Sequence, residues 1–158
     1  MVDPVSSEAS SRVIRVVRLL FAALILISIP ANAAPPELNV DDGSKFKATK
    51  VESGHEFEGK LEDGKRVKVR IVGLDCPEGK LGKDAKAAVQ KLLKGKKVTL
   101  ESTFPMFPLA QDNFGRLVAY VRLDDGRDLS AALLESGHCS AQTWSTPHPR
   151  QNLYAGIR

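Results

Sequence analysis

The apolar residues of this chain change their spacing once and then change back, and that switch restricts the fold more than any other feature. Val67, Val69 and Ile71 fall on one side of a run from Arg66 to Leu74, with Lys68 and Arg70 on the other. This is the two-residue period of a half-buried strand. Phe46 and Ala48 begin the same pattern in a first strand that ends near Glu52, and His55 to Glu62 reads as a second. Glu62-Asp63-Gly64-Lys65 joins the second and third strands as a hairpin, because Asp-Gly accepts the positive φ of a tight turn. Beyond Pro77 the spacing turns helical. Leu81, Ala85, Ala88, Val89, Leu92 and Leu93 share one face, and Gly95 stops the helix. Alternation returns over Lys97–Ser102 and Leu117–Leu123, and a second helix runs over about Leu129–Ser136 until Gly137. The order β-β-β-α-β-β-α predicts a mainly β fold with helices (α+β), built as a small five-stranded, partly open barrel.

Composition fits one ordinary domain of this kind. Hydrophobic residues make up 42% and charged residues 27% of the 158, which excludes a disordered tail, a collagen-like fibre and a polytopic membrane protein. Two cysteines are too few for a disulfide-dense scaffold, so an apolar core must supply most of the stability. The net charge of +4, with Lys83, Lys86 and Lys91 around the first helix, supports steering of a polyanion and no more, since a lysine-rich helix face is usually just solvated.

Residues 1–33 stand apart from that domain. Arg12, Arg15 and Arg18 precede an apolar run from Leu19 to Ile29, followed by Pro30 and the small-x-small triplet Ala31-Asn32-Ala33, the pattern of a cleaved secretory signal peptide. The run is shorter than the roughly 20 residues that span a bilayer. A secreted or periplasmic protein with no stable membrane anchor after cleavage is expected, and a monomer. Residues 34–44, with Pro35-Pro36 and an acidic turn, read as a linker. Residues 45–145 hold the folded domain, and 146–158, with Pro147 and Pro149, form an irregular C-terminal tail.

Two short stretches carry residues suited to chemistry. In Arg70-Ile71-Val72-Gly73-Leu74-Asp75-Cys76-Pro77-Glu78 a strand ends in a proline turn that displays two carboxylates three residues apart, with an arginine upstream. Phosphodiester hydrolysis needs such a set: a carboxylate to orient water or hold a hard cation, and a guanidinium to neutralise charge growing on phosphate oxygens. Taken alone, the stretch reads better as a solvated strand residue at Arg70 and a turn former at Asp75. Asp112-Asn113-Phe114-Gly115-Arg116 offers an aromatic ring, a glycine and an arginine beside a strand, a group able to pin a base and a phosphate. Alone it is also an ordinary turn.

Together, and flanking this helix, R-I-V-G-L-D-C-P-E (Arg70 to Glu78), G-K-D-A (Gly82 to Ala85) and D-N-F-G-R-L-V-A-Y-V (Asp112 to Val121) resemble the thermonuclease, or staphylococcal-nuclease-like, family. The chain looks like a secreted, bacterial-type member, similar from about Lys47 to Gly137. The resemblance implies an oligonucleotide/oligosaccharide-binding (OB-fold) barrel and a metal-assisted nuclease acting on DNA or RNA with little sequence specificity. A catalytically silent module that binds nucleic acid or a protein is the alternative. By the same resemblance Arg70, Glu78 and Arg116 are the catalytic residues. The two arginines would grip the phosphate, and Glu78 would orient or deprotonate water. Asp75 and the backbone carbonyl of Cys76 would bind Ca²⁺. Phe114 and Asn113 would meet the nucleotide. The turn Ser53-Gly54-His55-Glu56 stands where the family usually reads D-G-D-[ST], which puts His55 at a metal-ligand position. Calcium prefers several oxygen ligands, so Glu52 or Glu56 substitutes, or another divalent metal or none is used. The family fold would also bring Cys76 near Cys139, and an oxidising compartment favours a disulfide between them over two free thiols. Two features have no counterpart in the resemblance. The apolar connection Phe104-Pro105-Met106-Phe107-Pro108-Leu109 is expected to pack over the barrel, with an exposed patch for a base or a partner as the alternative, and Trp144 is expected to act as a core or lid residue.

Overall fold

In the computed structural model, residues 36–142 and 147–157 are described. Alternation sets the first three strands: β1 (Lys45–Val51), β2 (Glu56–Leu61) and β3 (Arg66–Ile71). They run antiparallel in turn, with Phe46 opposite Leu61 and Glu56 opposite Arg70. Phe46, Phe57, Val67, Val69 and Ile71 all point into the core. A bulge between Ala48 and Lys50 bends β1, the usual device for curling a sheet towards closure.

The short β4 (Leu74–Asp75) precedes helix α1 (Lys83–Leu93). Ala85, Val89 and Leu93 lie four residues apart and form the helix's buried stripe, as helical geometry requires. Leu81 lies before the helix and is exposed, which corrects its expected place on the apolar face. The chain returns through β5 (Val98–Glu101), β6 (Ala110–Gln111) and β7 (Leu117–Arg122). β5 pairs with β1 and β7, and β7 pairs in parallel with β3. That last pairing closes β1, β2, β3, β5 and β7 into a five-stranded barrel, with β6 adding a short flap on β7. The predicted α+β, OB-like barrel is found, closed rather than partly open.

Helix α2 (Leu129–Glu135) starts at Asp128, whose carboxylate accepts the N–H groups of Ser130 and Ala131 at 2.7 and 3.2 Å. Such a cap contributes about 1 kcal/mol. β8 (Ser140–Ala141) then pairs with β4, and Cys76 and Cys139 are joined by a disulfide beside that ribbon.

The tail is not irregular. Its helix α3 (Gln151–Ala155) puts Tyr154 fully inside the core. The Tyr154 hydroxyl donates to Asp128 at 2.7 Å, and the Arg150 guanidinium pairs with both Asp128 and Glu101 while lying 4.1 Å from the Tyr120 ring centroid. One buried tyrosine and one anchored arginine leave no periodic trace in a five-residue helix, so pattern reading could not find it. Gly73 admits the tail. Its φ is +79°, and a β-carbon there would lie 2.7 Å from the Tyr154 ring and 2.8 Å from His148. Gly73→Ala is expected to cost about 2–3 kcal/mol through backbone strain and overpacking, read as a lowered thermal midpoint with the barrel's circular dichroism retained.

The connection between β5 and β6 also departs from expectation. Leu109 is buried, but Phe104, Met106 and Phe107 are exposed at 62%, 93% and 66%. They do not pack over the barrel, because prolines at 105 and 108 and a left-handed Met106 (φ 71°) turn the loop outward. Trp144 and the expected signal peptide at residues 1–33 lie outside the described residues. Among the described residues no helix is long and apolar enough to cross a membrane.

Candidate active site

Arg70 stands near the end of β3 with its side chain on the face away from the core, since it alternates with buried Val69 and Ile71. Register places Glu56 directly across from it on β2, and the Arg70 Nη1 to Glu56 Oε1 distance is 3.6 Å. The parallel partner β7 sets Val118 beside Arg70, so the residue two places earlier, Arg116, arrives at the same edge. Arg116 pairs with Glu56 through Nη1. Its Nε and Nη2 both meet Asp112 Oδ2 at 2.7 Å. The other Asp112 oxygen accepts the N–H groups of Phe114 and Arg116 at 2.9 and 3.0 Å. One carboxylate thus shapes the turn and aims the guanidinium it shapes it for.

Two cations three strands apart in sequence therefore converge on one carboxylate oxygen. Guanidiniums pair with carboxylate and phosphate by the same planar hydrogen-bonding geometry. Glu56 occupies a position between the two arginines that a phosphate oxygen can compete for.

The remaining expected residues gather around His55. Gly54 lets the turn Ser53–Glu56 approach closely, because a β-carbon there would lie 2.8 Å from Ala85 Cβ and 2.8 Å from Cys76 Cβ. His55 is only 5% exposed, and its Nδ1 has no hydrogen-bond partner. Its Nε2 lies 3.7 Å from Glu78 Oε1. Burial pushes the His55 pKa down, and the charge of Arg70 pushes it further; Glu78 pulls it upward, while Arg116 adds a smaller downward push and Asp75 a smaller upward pull. His55 is therefore a neutral imidazole at pH 7. Glu78 is exposed, and the neutral His55 ring beside it makes no ion pair with its carboxylate. The structure thus brings Arg70 and Arg116 into direct contact with a shared group, and sets Glu78 and Asp75 around His55 next to them.

Phe114 is 79% exposed, and the Arg116 guanidinium carbon lies 5.0 Å from its ring centroid. Asn113 and Phe114 line a cleft of about 520 Å³ that also takes in Arg70, Arg116, Phe104 and His148. Glu78 and His55 do not line it.

The calcium donors do not fit. Glu56 pairs with the arginines, and the exposed Glu52 with Lys50 at 2.5 Å, so in this arrangement neither stands in for the missing aspartate. What remains is Asp75, the Cys76 carbonyl, Glu78 and a buried imidazole. Among the described residues no group of three or more His, Cys, Asp or Glu is arranged to hold a metal. Calcium takes 6–8 oxygens, and imidazole suits softer ions. Adding about 1 mM calcium is expected to leave the thermal midpoint unchanged, because a ligand stabilises only when its concentration exceeds its dissociation constant.

Sequence reading had not given Asp112 or Glu56 their places beside the arginines. Asp112 has a signal in its spacing, four residues before Arg116. Glu56 and Arg70 are equidistant from Asp63 at the hairpin's tip, and that symmetry fixes them as cross-strand neighbours.

Comparison with curated proteins gave no match. The family model described as staphylococcal nuclease homologue matches residues 68–155, a span that includes both arginines, Asp75, Glu78, the disulfide, Phe114 and the tail helix, and begins after the altered turn. With more than half of its length matched and the barrel closed as that fold requires, the chain belongs to the staphylococcal nuclease homologue family, whose members are in general nucleases acting on nucleic acids.

Proposed function

We propose that this protein is a secreted or periplasmic nuclease that hydrolyses phosphodiester bonds of DNA or RNA with little sequence preference. The observation that carries the reading is the meeting of Arg70 and Arg116, both of which line the cleft, on a single carboxylate. Phosphate entering there exchanges with Glu56, and the two guanidiniums then neutralise the charge that develops on its equatorial oxygens. Glu78, exposed and beside a neutral imidazole, orients or deprotonates the attacking water, and Asn113 and Phe114 hold the nucleotide. Asp112 keeps Arg116 aimed. Calcium has no part among these groups, because the donors do not suit it. The leader-like pattern of residues 1–33 and the Cys76–Cys139 disulfide support an oxidising destination.

One observation favours a second reading. Glu56 neutralises both arginines, and a site that kept this arrangement would bind polyanions weakly and cleave nothing. Incubating the mature protein with heat-denatured DNA in calcium, in manganese and in chelator separates the two. The nuclease reading expects cleavage in at least one condition and its loss in Glu78→Gln. A folded protein that cleaves under none of them is the silent module.

A further inference from the structure

Cross-strand register sets three cations abreast on the outer face of the barrel. Lys47 on β1 stands opposite Lys60 on β2, and Lys60 stands opposite Arg66 on β3. All three are exposed, alternating along their strands with the buried Phe46, Gly59 and Val67. Like charges directly opposite each other destabilise a sheet, whereas opposite charges support it. The adjoining row shows the ordinary solution, with Glu58 between Lys50 and Lys68. The row through Lys60 has no carboxylate in it. Among the described residues Lys47, Lys60 and Arg66 make no ion pair, whereas the neighbouring Lys50, Lys97 and Arg70 pair with Glu52, Glu62 and Glu56.

This row is joined to the arginine site along β3. Arg66, Lys68 and Arg70 share the outer face of that strand, because Val67, Val69 and Ile71 take the inner one. A groove of about 350 Å³ beside them is lined by Arg66, Lys68 and Phe114, and Phe114 also lines the cleft that holds Arg70 and Arg116. At the far end, Lys47 and Lys60 line a further groove of about 470 Å³ together with Lys45 and Lys97. Four residues of strand put Arg66 about 13 Å from Arg70, the length of about four nucleotides in a stacked strand.

We propose that Lys47, Lys60 and Arg66 form a phosphate-binding exosite, which holds the backbone of a nucleic acid several nucleotides away from the bond at Arg70 and Arg116. This rests on the nuclease reading and extends it beyond the cleft: the row adds affinity for long chains and none for short ones. Phosphates supply the negative charge that register withholds from the row. A contact to phosphate carries no sequence information, so the exosite holds any sequence equally.

The test is equilibrium binding across a salt series by the protein carrying Glu78→Gln to prevent turnover. The probes are a thymidine dinucleotide and a fluorescent thymidylate strand of about 20 nucleotides, long enough at about 3.4 Å each to cover both places. Adding Lys47→Gln, Lys60→Gln and Arg66→Gln together removes three phosphate contacts. The slope of log affinity against log salt for the long strand should then flatten by about 2. Between about 50 and 200 mM salt the parent's affinity should fall about 20-fold more than the variant's. Dinucleotide binding should not change, since so short a chain cannot reach from Arg70 to the row. The thermal midpoint should hold or rise, because two like-charge pairs are relieved. Lys83→Gln, Lys86→Gln and Lys91→Gln on α1 remove the same charge elsewhere and should leave the slope nearly as it was. An unchanged slope in the row variant overturns the proposal. So does an equal flattening in the helix variant, which would make net charge the cause, or an equal loss for the dinucleotide. If the row proves silent while the wild type cleaves and Arg116→Ala does not, the nuclease reading survives that failure. A row that binds in a protein that cleaves nothing leaves the exosite standing and removes the nuclease. Anionic phospholipid vesicles held through the row, with oligonucleotide affinity unmoved by its loss, would assign the face to a membrane and also overturn the proposal.

Discussion

Arg116→Ala is expected to slow cleavage of a single-stranded oligonucleotide by about 10²–10³-fold, the cost of removing one preorganised donor from a developing oxyanion. The guanidinium is held on three sides: by Asp112 through two nitrogens, by Glu56 through a third, and by the Phe114 ring at 5.0 Å. It is therefore aimed before substrate arrives and needs little reorganisation when charge builds. Arg116→Lys should recover only a small part of the loss, because an ammonium cannot span Asp112 and a phosphate at once. Thermal midpoint and cleavage rate are to be measured together. Truncating the arginine also leaves Glu56 with only the longer contact to Arg70, and a destabilised fold would lower the rate for the wrong reason. Loss of rate with a midpoint well above the assay temperature is the expected outcome.

The second large effect is on stability. Replacing Cys76 and Cys139 together by alanine is expected to cost about 4 kcal/mol, the chain-entropy estimate for a bridge that closes a loop of 63 residues. For a domain of this size the thermal midpoint should fall on the order of 10 °C. Both sulfurs are buried, at 3% and 9% residue exposure, so the paired substitution is a cleaner test than a reductant that cannot reach the bond. Cys76 also packs against Gly54, 2.8 Å from where a β-carbon would stand. The bridge thus ties the proline turn carrying Glu78 to the chain after α2, and Cys76 packs that turn against the one carrying His55. An unchanged midpoint would mean that the bond ties together parts the core already holds.

The barrel was legible because its strands alternate cleanly and its helix does not. Val67, Val69 and Ile71 name a core face without help from any neighbour, and Ala85, Val89 and Leu93 do the same for α1. Closure was not legible, since the β3–β7 pairing joins residues 48 apart in the chain (Val69 with Leu117) and leaves no mark in either strand's own pattern. The arginines could be picked out by type and setting, and hairpin symmetry pairs Glu56 with Arg70, but nothing in either stretch shows that Arg116 reaches the same carboxylate, because that depends on the β3–β7 pairing. Tail docking was hidden for a related reason. Arg150, Tyr154 and Gly73 make sense only as a set, a buried cation with its two carboxylates and a glycine that makes room for the ring. The loop at Phe104 has two readings, packed or exposed; the general preference of apolar residues for burial favours the first. Its two prolines, and a neck closed by the Ser102 hydroxyl on the Pro108 carbonyl, produce the second.

The joint action of Arg70 and Arg116 on one phosphorus centre is tested most directly by single-turnover cleavage of one oligonucleotide by the wild type, Arg70→Ala, Arg116→Ala and the double variant. Groups that act as a unit are strongly non-additive. Each single substitution should cost about 10²–10³-fold, and the double variant should fall far short of the product of those losses. Losses that multiply in full, or a wild type that cleaves no faster than the double variant, would contradict it.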